Sequence, residues 1–136
     1  MRYSVDNTDR LQKFIETARD KPLPTGPVST DWLRANNFKD RRDQQFIEIL
    51  ELLDFVDGDK RPNQNWVAFQ DKSKSTSLMS KTLREKYSFI FDMYPDDTNQ
   101  SDANLEKIFV DRNFSRDQAG NAVKTLKTLL RFAGWM

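Results

Sequence analysis

Apolar residues recur along this chain at the spacing of a helix face. Leu11, Phe14, Ile15 and Ala18 stand at positions i, i+3, i+4 and i+7, which predicts an amphipathic helix over about residues 8–19. Five later stretches show similar spacing and start near residues suited to a helix N-terminus. They predict a short helix from Ser29 to Asn36, a helix over about 41–54, a long helix between Ser77 and Pro95, a short helix after Ser101, and a final helix after Ser115.

Residues 55–69 break this helical pattern. Two short apolar segments, at residues 55–56 and 66–69, flank a run rich in Asp, Gly, Pro and Asn. That arrangement is typical of a β-hairpin with a longer loop. Pro62 cannot donate a hydrogen bond to a neighbouring strand, so any sheet here should be small and edge-like. Three helices followed by such a hairpin is the order of a winged helix, a variant of the helix-turn-helix unit.

The chain also carries one pattern twice, about 77 residues apart. An Asn-Phe pair precedes both the third and the sixth predicted helix, and a Leu-Leu-x-Phe sequence ends both. The two copies are Asn37-Phe38 with Leu52-Leu53-x-Phe55, and Asn113-Phe114 with Leu129-Leu130-x-Phe132. Such a repeat indicates one small helical unit that is used twice.

These patterns together predict a mainly α fold made of tandem winged-helix, or helix-turn-helix-like, three-helix units with one small β-hairpin wing. The first unit should span residues 1–75, with its wing at about 55–69. The second should span residues 76–136 and lack a wing, and the two should pack as one compact body. The polar stretch 72–77 is the expected linker between the copies.

Several apolar and turn residues of this chain resemble those of a known family. They are Leu23-Pro24 before Val28-Ser29-x-x-Trp32-Leu33, then Leu50-x-x-Leu53-x-Phe55-Val56-Asp57-x-Asp59-x-x-Pro62-x-x-x-Trp66, and Tyr87-x-x-Ile90-Phe91-x-x-Tyr94-Pro95. Over nearly the whole chain they resemble a prokaryotic and viral family of about this length that is a domain of unknown function. The resemblance implies a winged-helix-like organisation, and it carries over no catalytic residue.

Composition removes several classes of chemistry. The 136 residues include no Cys and no His, which excludes disulfides, zinc sites of the ordinary type and catalysis by a Cys or His nucleophile or base. No apolar run approaches the length of a membrane span, and the N-terminus lacks the apolar region of a secretory signal. We therefore expect a cytoplasmic protein that is not an enzyme and binds no cofactor, metal or membrane.

Charge gives no general indication of a nucleic-acid partner, because the formal net charge is only +1 and both halves are near neutral. Binding to nucleic acid would therefore depend on local patches. In a winged helix the third helix enters the major groove and the wing contacts the backbone. The candidate DNA-binding residues of the first unit are Arg41, Arg42 and Gln44 at the start of that helix, and Lys60 and Arg61 at the wing tip. The alternative is that Arg41 and Arg42 pair with Asp40 and Asp43, and that Lys60-Arg61 is a solvated turn.

The last helix offers a second candidate surface. If Val123, Leu126 and Leu130 face inward, a set of basic and small polar residues should face outward. The set comprises Asn121, Lys124, Thr128 and Arg131, with Lys127 at its margin. It would suit phosphate groups, although cations are also common late in a helix for electrostatic reasons alone.

Two functions from different classes are compatible with these surfaces. The first is DNA binding of the winged-helix type by a small non-enzymatic regulator or a phage or plasmid accessory protein. The alternative is a protein-interaction module, an adaptor or an inhibitor of a larger host-defence or nucleic-acid-processing complex. In that case Glu48 and Glu51, which should face outward on the third helix, would contact the partner. Both inferences rest on analogy with a fold.

Overall fold

The computed structural model describes residues 3–94 and 100–134 and is built mainly from helices. This confirms the mainly α prediction. A 3₁₀ helix, Arg41–Gln44, leads directly into α3. Within these described ranges the eight α-helices are α1 (Thr8–Asp20), α2 (Thr30–Ala35), α3 (Gln45–Leu52), α4 (Gln64–Gln70), α5 (Ser75–Lys86), α6 (Ser88–Phe91), α7 (Asp102–Asp111) and α8 (Arg116–Phe132).

Polar side chains fix where several helices begin. The side chains of Asn7, Ser29 and Ser101 each accept a hydrogen bond from a backbone N–H in the first turn of α1, α2 and α7. Ser115 and Gln118 form a capping box at the start of α8, as the sequence predicts. Each cap satisfies a backbone donor that has no partner within the helix. Local sequence therefore determines these boundaries.

The long helix expected between Ser77 and Pro95 is two helices, α5 and α6. They are separated at Tyr87, whose backbone leaves the helical region (φ −112°, ψ 32°). The predicted cap at Ser77 is wrong, because α5 begins at Ser75 with Lys74 at its N-cap. The predicted linker at 72–77 is therefore only partly a loop, and its last three residues form the first turn of α5. Pro95 lies outside the described residues.

The hairpin prediction is wrong for its second strand. In the described part of the chain, pairing in this region is limited to one antiparallel bridge between Val56 and Pro62. The chain then enters α4, because the side chain of Asn63 accepts from the backbone N–H groups of Asn65 and Trp66. Trp66 and Phe69 are three residues apart on the buried face of this helix. A two-stranded wing at 55–69 is thus replaced by a tight turn, residues 57–61, followed by a helix.

The Asn-Phe pairs of the repeat adopt the same local structure. Asn37 and Asn113 both have left-handed backbones, with φ of 71° and 73°. The next N–H donates to a carbonyl five residues back in each copy, from Phe38 to Leu33 (2.8 Å) and from Phe114 to Phe109 (3.1 Å). This is the usual way to end a helix with a left-handed residue. A capping box follows in both copies, so the shared sequence pattern encodes a shared turn.

The helices around these turns differ in length, since α2 has 6 residues and α7 has 10. The superposition of two three-helix units and the division of the chain at residue 75 stay predictions. Contacts of α1 with α8, and of α4 with α5, join residues on either side of that division. One hydrophobic cluster includes buried residues from all eight helices. The indole N–H of Trp66 donates to the carbonyl of Ala18 at 2.8 Å, which fixes α4 against α1 inside this core.

Candidate nucleic-acid interface

The end of α2, the following turn and the 3₁₀ helix form an exposed basic surface. We call it the basic turn and define it by Arg34, Lys39, Arg41, Arg42 and Gln44, all of which are exposed. The left-handed residue at position 37 reverses the chain, and the buried ring of Phe38 anchors it to the core. These side chains therefore project from a short, well-anchored segment.

Most of the cations in the basic turn have no carboxylate partner. Arg34, Lys39 and Arg41 form no ion pair with any residue in the described part of the chain. Arg42 lies 3.8 Å from Asp40, and the two side chains are 75 % and 49 % exposed, so that pair contributes little. The alternative of Arg–Asp pairing thus holds for Asp40 and is wrong for Asp43.

Asp43 is bound to Arg10 of α1 instead. Its carboxylate is 2 % exposed and accepts from Arg10 Nε at 2.9 Å and from Arg10 Nη2, which makes the pair bidentate. One oxygen also accepts from the backbone N–H of Asp40 at 3.0 Å, which closes the capping box. This hydrogen bonding raises the pKa of the Arg10 guanidinium, so Arg10 stays charged. The same guanidinium lies 5.4 Å from the centre of the Phe38 ring.

Several shallow depressions lie beside the basic turn, and two of them share lining residues. The first has a volume of about 320 Å³ and lies over Leu33 and Phe38, with Arg34 and Lys39 on its border. The second, of about 350 Å³, is lined by both acids and bases, namely Asp6, Arg41, Arg42, Gln44, Gln45 and Glu48. Arg41 and Gln44 border both depressions, so they form the ridge between them.

Only part of the predicted wing tip is available to contact DNA. Lys60 Nζ lies 2.5 Å from Glu51 Oε1, with both side chains roughly 40 % exposed, and this contact joins the 57–61 turn to α3. The carbonyl of Lys60 also accepts from Val28 N at 2.8 Å. Arg61 is exposed and forms no ion pair in the described part of the chain. Among the two acids expected to contact a protein partner, Glu51 is thus paired with Lys60, while Glu48 is half-buried.

The candidate surface on α8 is smaller than the sequence predicts. Thr128 is only 6 % exposed and donates to the carbonyl of Lys124 at 2.9 Å, so the outward orientation predicted for it is wrong. Lys127 is half-buried and paired with Asp102, and Arg131 donates to Gln12 at 2.8 Å.

The candidate surface on α8 is reduced because this helix contacts α1, α5 and α7. It therefore buries more of its circumference than a helix that packs on one side only. Lys124 is exposed and Asn121 is half-buried. The residues of this face are thus mostly used within the protein.

Sequence reasoning missed Arg34, Lys39 and Arg10. The first two flank the Asn37-Phe38 pair, and a tight turn at that pair was the available indication that the end of α2 lies beside the 3₁₀ helix. Arg10 is separated from Asp43 by 33 residues, and no local pattern connects them.

Elsewhere, Asp57 Oδ1 accepts from the N–H groups of Asp59 and Arg61, so this carboxylate organises its own turn.

Neither a metal site nor a membrane span is found in the part of the chain that the structure describes. Residues 3–94 and 100–134 contain no group of three or more side chains of the metal-ligating type. None of the helices in those ranges has the length and apolar character needed to cross a membrane.

Comparison with known proteins identifies a family. Residues 4–136 match the model of a protein family described as a family of unknown function, DUF5343. No curated protein and no solved structure matches the chain significantly. Since the match covers nearly the whole sequence and agrees with the resemblance seen in the core and turn residues, the chain belongs to this family of unknown function.

Proposed function

We propose that this protein binds duplex DNA through the basic turn. The observation that supports the proposal most strongly is the group of cations on this one short segment, three of which form no ion pair with any described residue. Arginine and lysine side chains that are exposed and unpaired are the groups that neutralise DNA phosphates. The near-neutral net charge is compatible with this proposal only because the cations are concentrated locally.

The contacts would be made mainly to phosphates rather than to base edges. A helix that reads bases presents several polar side chains to the major groove. In α3 the one exposed residue is Glu51, an acid that is already paired with Lys60. The donors in the basic turn lie before α3, where they can contact a backbone without inserting the helix. We therefore expect weak dependence of affinity on DNA sequence.

Charge reversal tests this proposal. In the first variant Lys39→Glu is combined with Arg41→Glu, and in the second Lys124→Glu is combined with Arg131→Glu. Both variants change the net charge equally, so a general electrostatic effect would weaken both to a similar degree. Fluorescence anisotropy with a labelled duplex at low salt would measure the affinities, and circular dichroism would verify folding.

The expected result is a loss of at least about tenfold in affinity for the first variant, since two phosphate contacts are removed. The second variant should lose much less. Equal losses in both variants, or no binding by the parent protein, would contradict the proposal.

A protein partner is the second candidate function. The depression between Asp6 and the 3₁₀ helix supports it, because its border mixes Asp6 and Glu48 with Arg41 and Arg42. A border of both signs suits the mixed charges of a protein surface better than a uniform phosphate backbone. The test is affinity capture with the parent and with a Glu48→Lys, Glu51→Lys variant. A partner held by the parent and lost by the glutamate variant, together with no binding of duplex DNA by the parent, would favour this function over DNA binding.

A further inference from the structure

The basic turn contains two carboxylates that would oppose an approaching phosphate. Asp40 and Asp43 lie in the same segment as the four cations. Asp40 is exposed and close to Arg42, so solvent screens it. Asp43 is 2 % exposed, and a buried charge is screened much less by salt and water. Its negative charge would therefore weaken the attraction between this turn and DNA unless another group offset it.

Arg10 is the group that offsets Asp43. It belongs to α1, and its guanidinium donates to both carboxylate oxygens of Asp43. Its planar geometry matches that of the carboxylate. The guanidinium also lies over the ring of Phe38 at 5.4 Å, which is the residue that anchors the turn. One side chain thus contacts the turn at its anchor and at its buried acid.

We propose that Arg10 is a positioning residue for the DNA-binding function, and this inference rests on that proposed function. Arg10 cancels the charge of Asp43 and fixes the 3₁₀ helix against α1, so that the exposed cations dominate the field of the turn. It need not contact DNA itself. Asp43 has a structural role beside these cations, because it closes the capping box with Asp40 N and so holds the start of the 3₁₀ helix.

The chain provides a matched control on the same helix. Arg19 of α1 forms a bidentate pair with Asp20, at 2.8 and 3.0 Å. Its guanidinium also lies 5.6 Å from the ring of Phe132. The two arginines therefore make the same kinds of contact, but only the Arg10 pair adjoins the basic turn.

The experiment measures duplex DNA affinity for three variants at the Arg10 pair: Asp43→Asn, Arg10→Met and the double variant. Asp43→Asn removes the opposing charge, and its side-chain oxygen can still accept from Asp40 N. It should bind DNA about three- to tenfold more tightly than the parent. Arg10→Met leaves the acid uncompensated and should bind more weakly by a similar factor. The double variant removes both charges and should return to within about twofold of the parent.

The opposite signs distinguish this role from a purely structural one. If Arg10 only stabilises the fold, all three variants should bind more weakly, in step with their thermal stability. Asp20→Asn and Arg19→Met control for net charge and should stay within about twofold of the parent. If Arg10→Met fails to fold, Asp43→Asn and the double variant still decide the question. Folded Asp43→Asn that binds no more tightly than Asp20→Asn would overturn the inference, whereas a parent that binds no DNA would overturn the proposed function itself.

Discussion

The hydroxyl of Tyr87 is a buried polar group that forms no hydrogen bond within the described part of the chain. The residue is fully buried, and its ring packs edge-on against Tyr3 at 5.1 Å. Tyr87→Phe removes the hydroxyl oxygen and leaves the ring contacts in place. We predict that this substitution stabilises the protein, in contrast to most core substitutions.

The size of the effect follows from the cost of an unsatisfied buried group, about 1–3 kcal/mol. Loss of some packing around the removed oxygen offsets part of this, so we expect a gain of about 1 kcal/mol in the free energy of unfolding. For a chain of 136 residues this corresponds to a rise of about 3 °C in Tm. Tyr3→Phe is the matched control, because the Tyr3 hydroxyl donates to the carbonyl of Lys86 at 3.2 Å. That variant should lose about 1 kcal/mol instead.

Alkaline pH provides an independent test of the same residue. Burial raises the pKa of Tyr87 well above its ordinary value of 10.0, so the folded protein keeps this proton at pH values where the unfolded chain releases it. The unfolded state then binds fewer protons, and stability falls as pH rises above about 10. The fall from this one group approaches about 1.4 kcal/mol per pH unit.

Urea unfolding of the parent, Tyr87→Phe and Tyr3→Phe proteins would measure both effects. The measurements are made at about pH 7 and at about pH 10.5 to 11, which lie on either side of the ordinary tyrosine pKa of about 10. The difference in stability between Tyr87→Phe and the parent should widen at the higher pH. If Tyr87→Phe is less stable than the parent at neutral pH, or if the difference does not grow with pH, the hydroxyl has a partner in solution and the reasoning is refuted.

The repeat and the 57–61 turn give two further predictions. Asn37→Ala and Asn113→Ala should each destabilise the protein by about 1 kcal/mol, because alanine is strained in the left-handed conformation. The matching glycine variants should be neutral or stabilising. Equal Tm values for the alanine and glycine variants would contradict the shared turn. Glu51→Gln should release Lys60 and tighten DNA binding about two- to fivefold with less than about 1 kcal/mol change in stability. Unchanged affinity in an anisotropy titration would mean that the 57–61 turn lies away from DNA.

Sequence predicted the helices well where apolar spacing and capping residues agreed. The stripe of α1 and the capping box at Ser115 are both present, because each depends on residues within one or two turns of one another. The hairpin failed for a related reason. Residues 66–69 are too short a segment to distinguish a strand from a helix by periodicity. The cap at Asn63 and the distant hydrogen bond from Trp66 to Ala18 favour the helix.

The candidate site was harder to predict, because exposure depends on how many neighbours a helix has. Thr128 lies on a face of α8 that looks polar in sequence, yet packing on several sides buries it. Its hydroxyl can be buried at little cost because it donates to the Lys124 carbonyl. The pairing of Lys60 with Glu51 and of Arg10 with Asp43 likewise depends on tertiary contacts. Arg41 and Gln44 are exposed, as the inward placement of the apolar stripe of α3 predicts, and their role in binding stays a prediction.

The salt dependence of duplex DNA binding tests the DNA-binding proposal most directly. Each phosphate that the protein neutralises releases counterions, so the logarithm of the affinity should fall with the logarithm of salt concentration by about 0.9 per contact. For three to four contacts by the basic turn the slope should be about −3. The Lys39→Ala, Arg41→Ala variant should bind with a slope closer to zero by about 2, while Lys124→Ala leaves the slope of the parent unchanged. A parent that binds no duplex at low salt, or a slope that the Lys39→Ala, Arg41→Ala variant does not change, would contradict DNA binding through this surface.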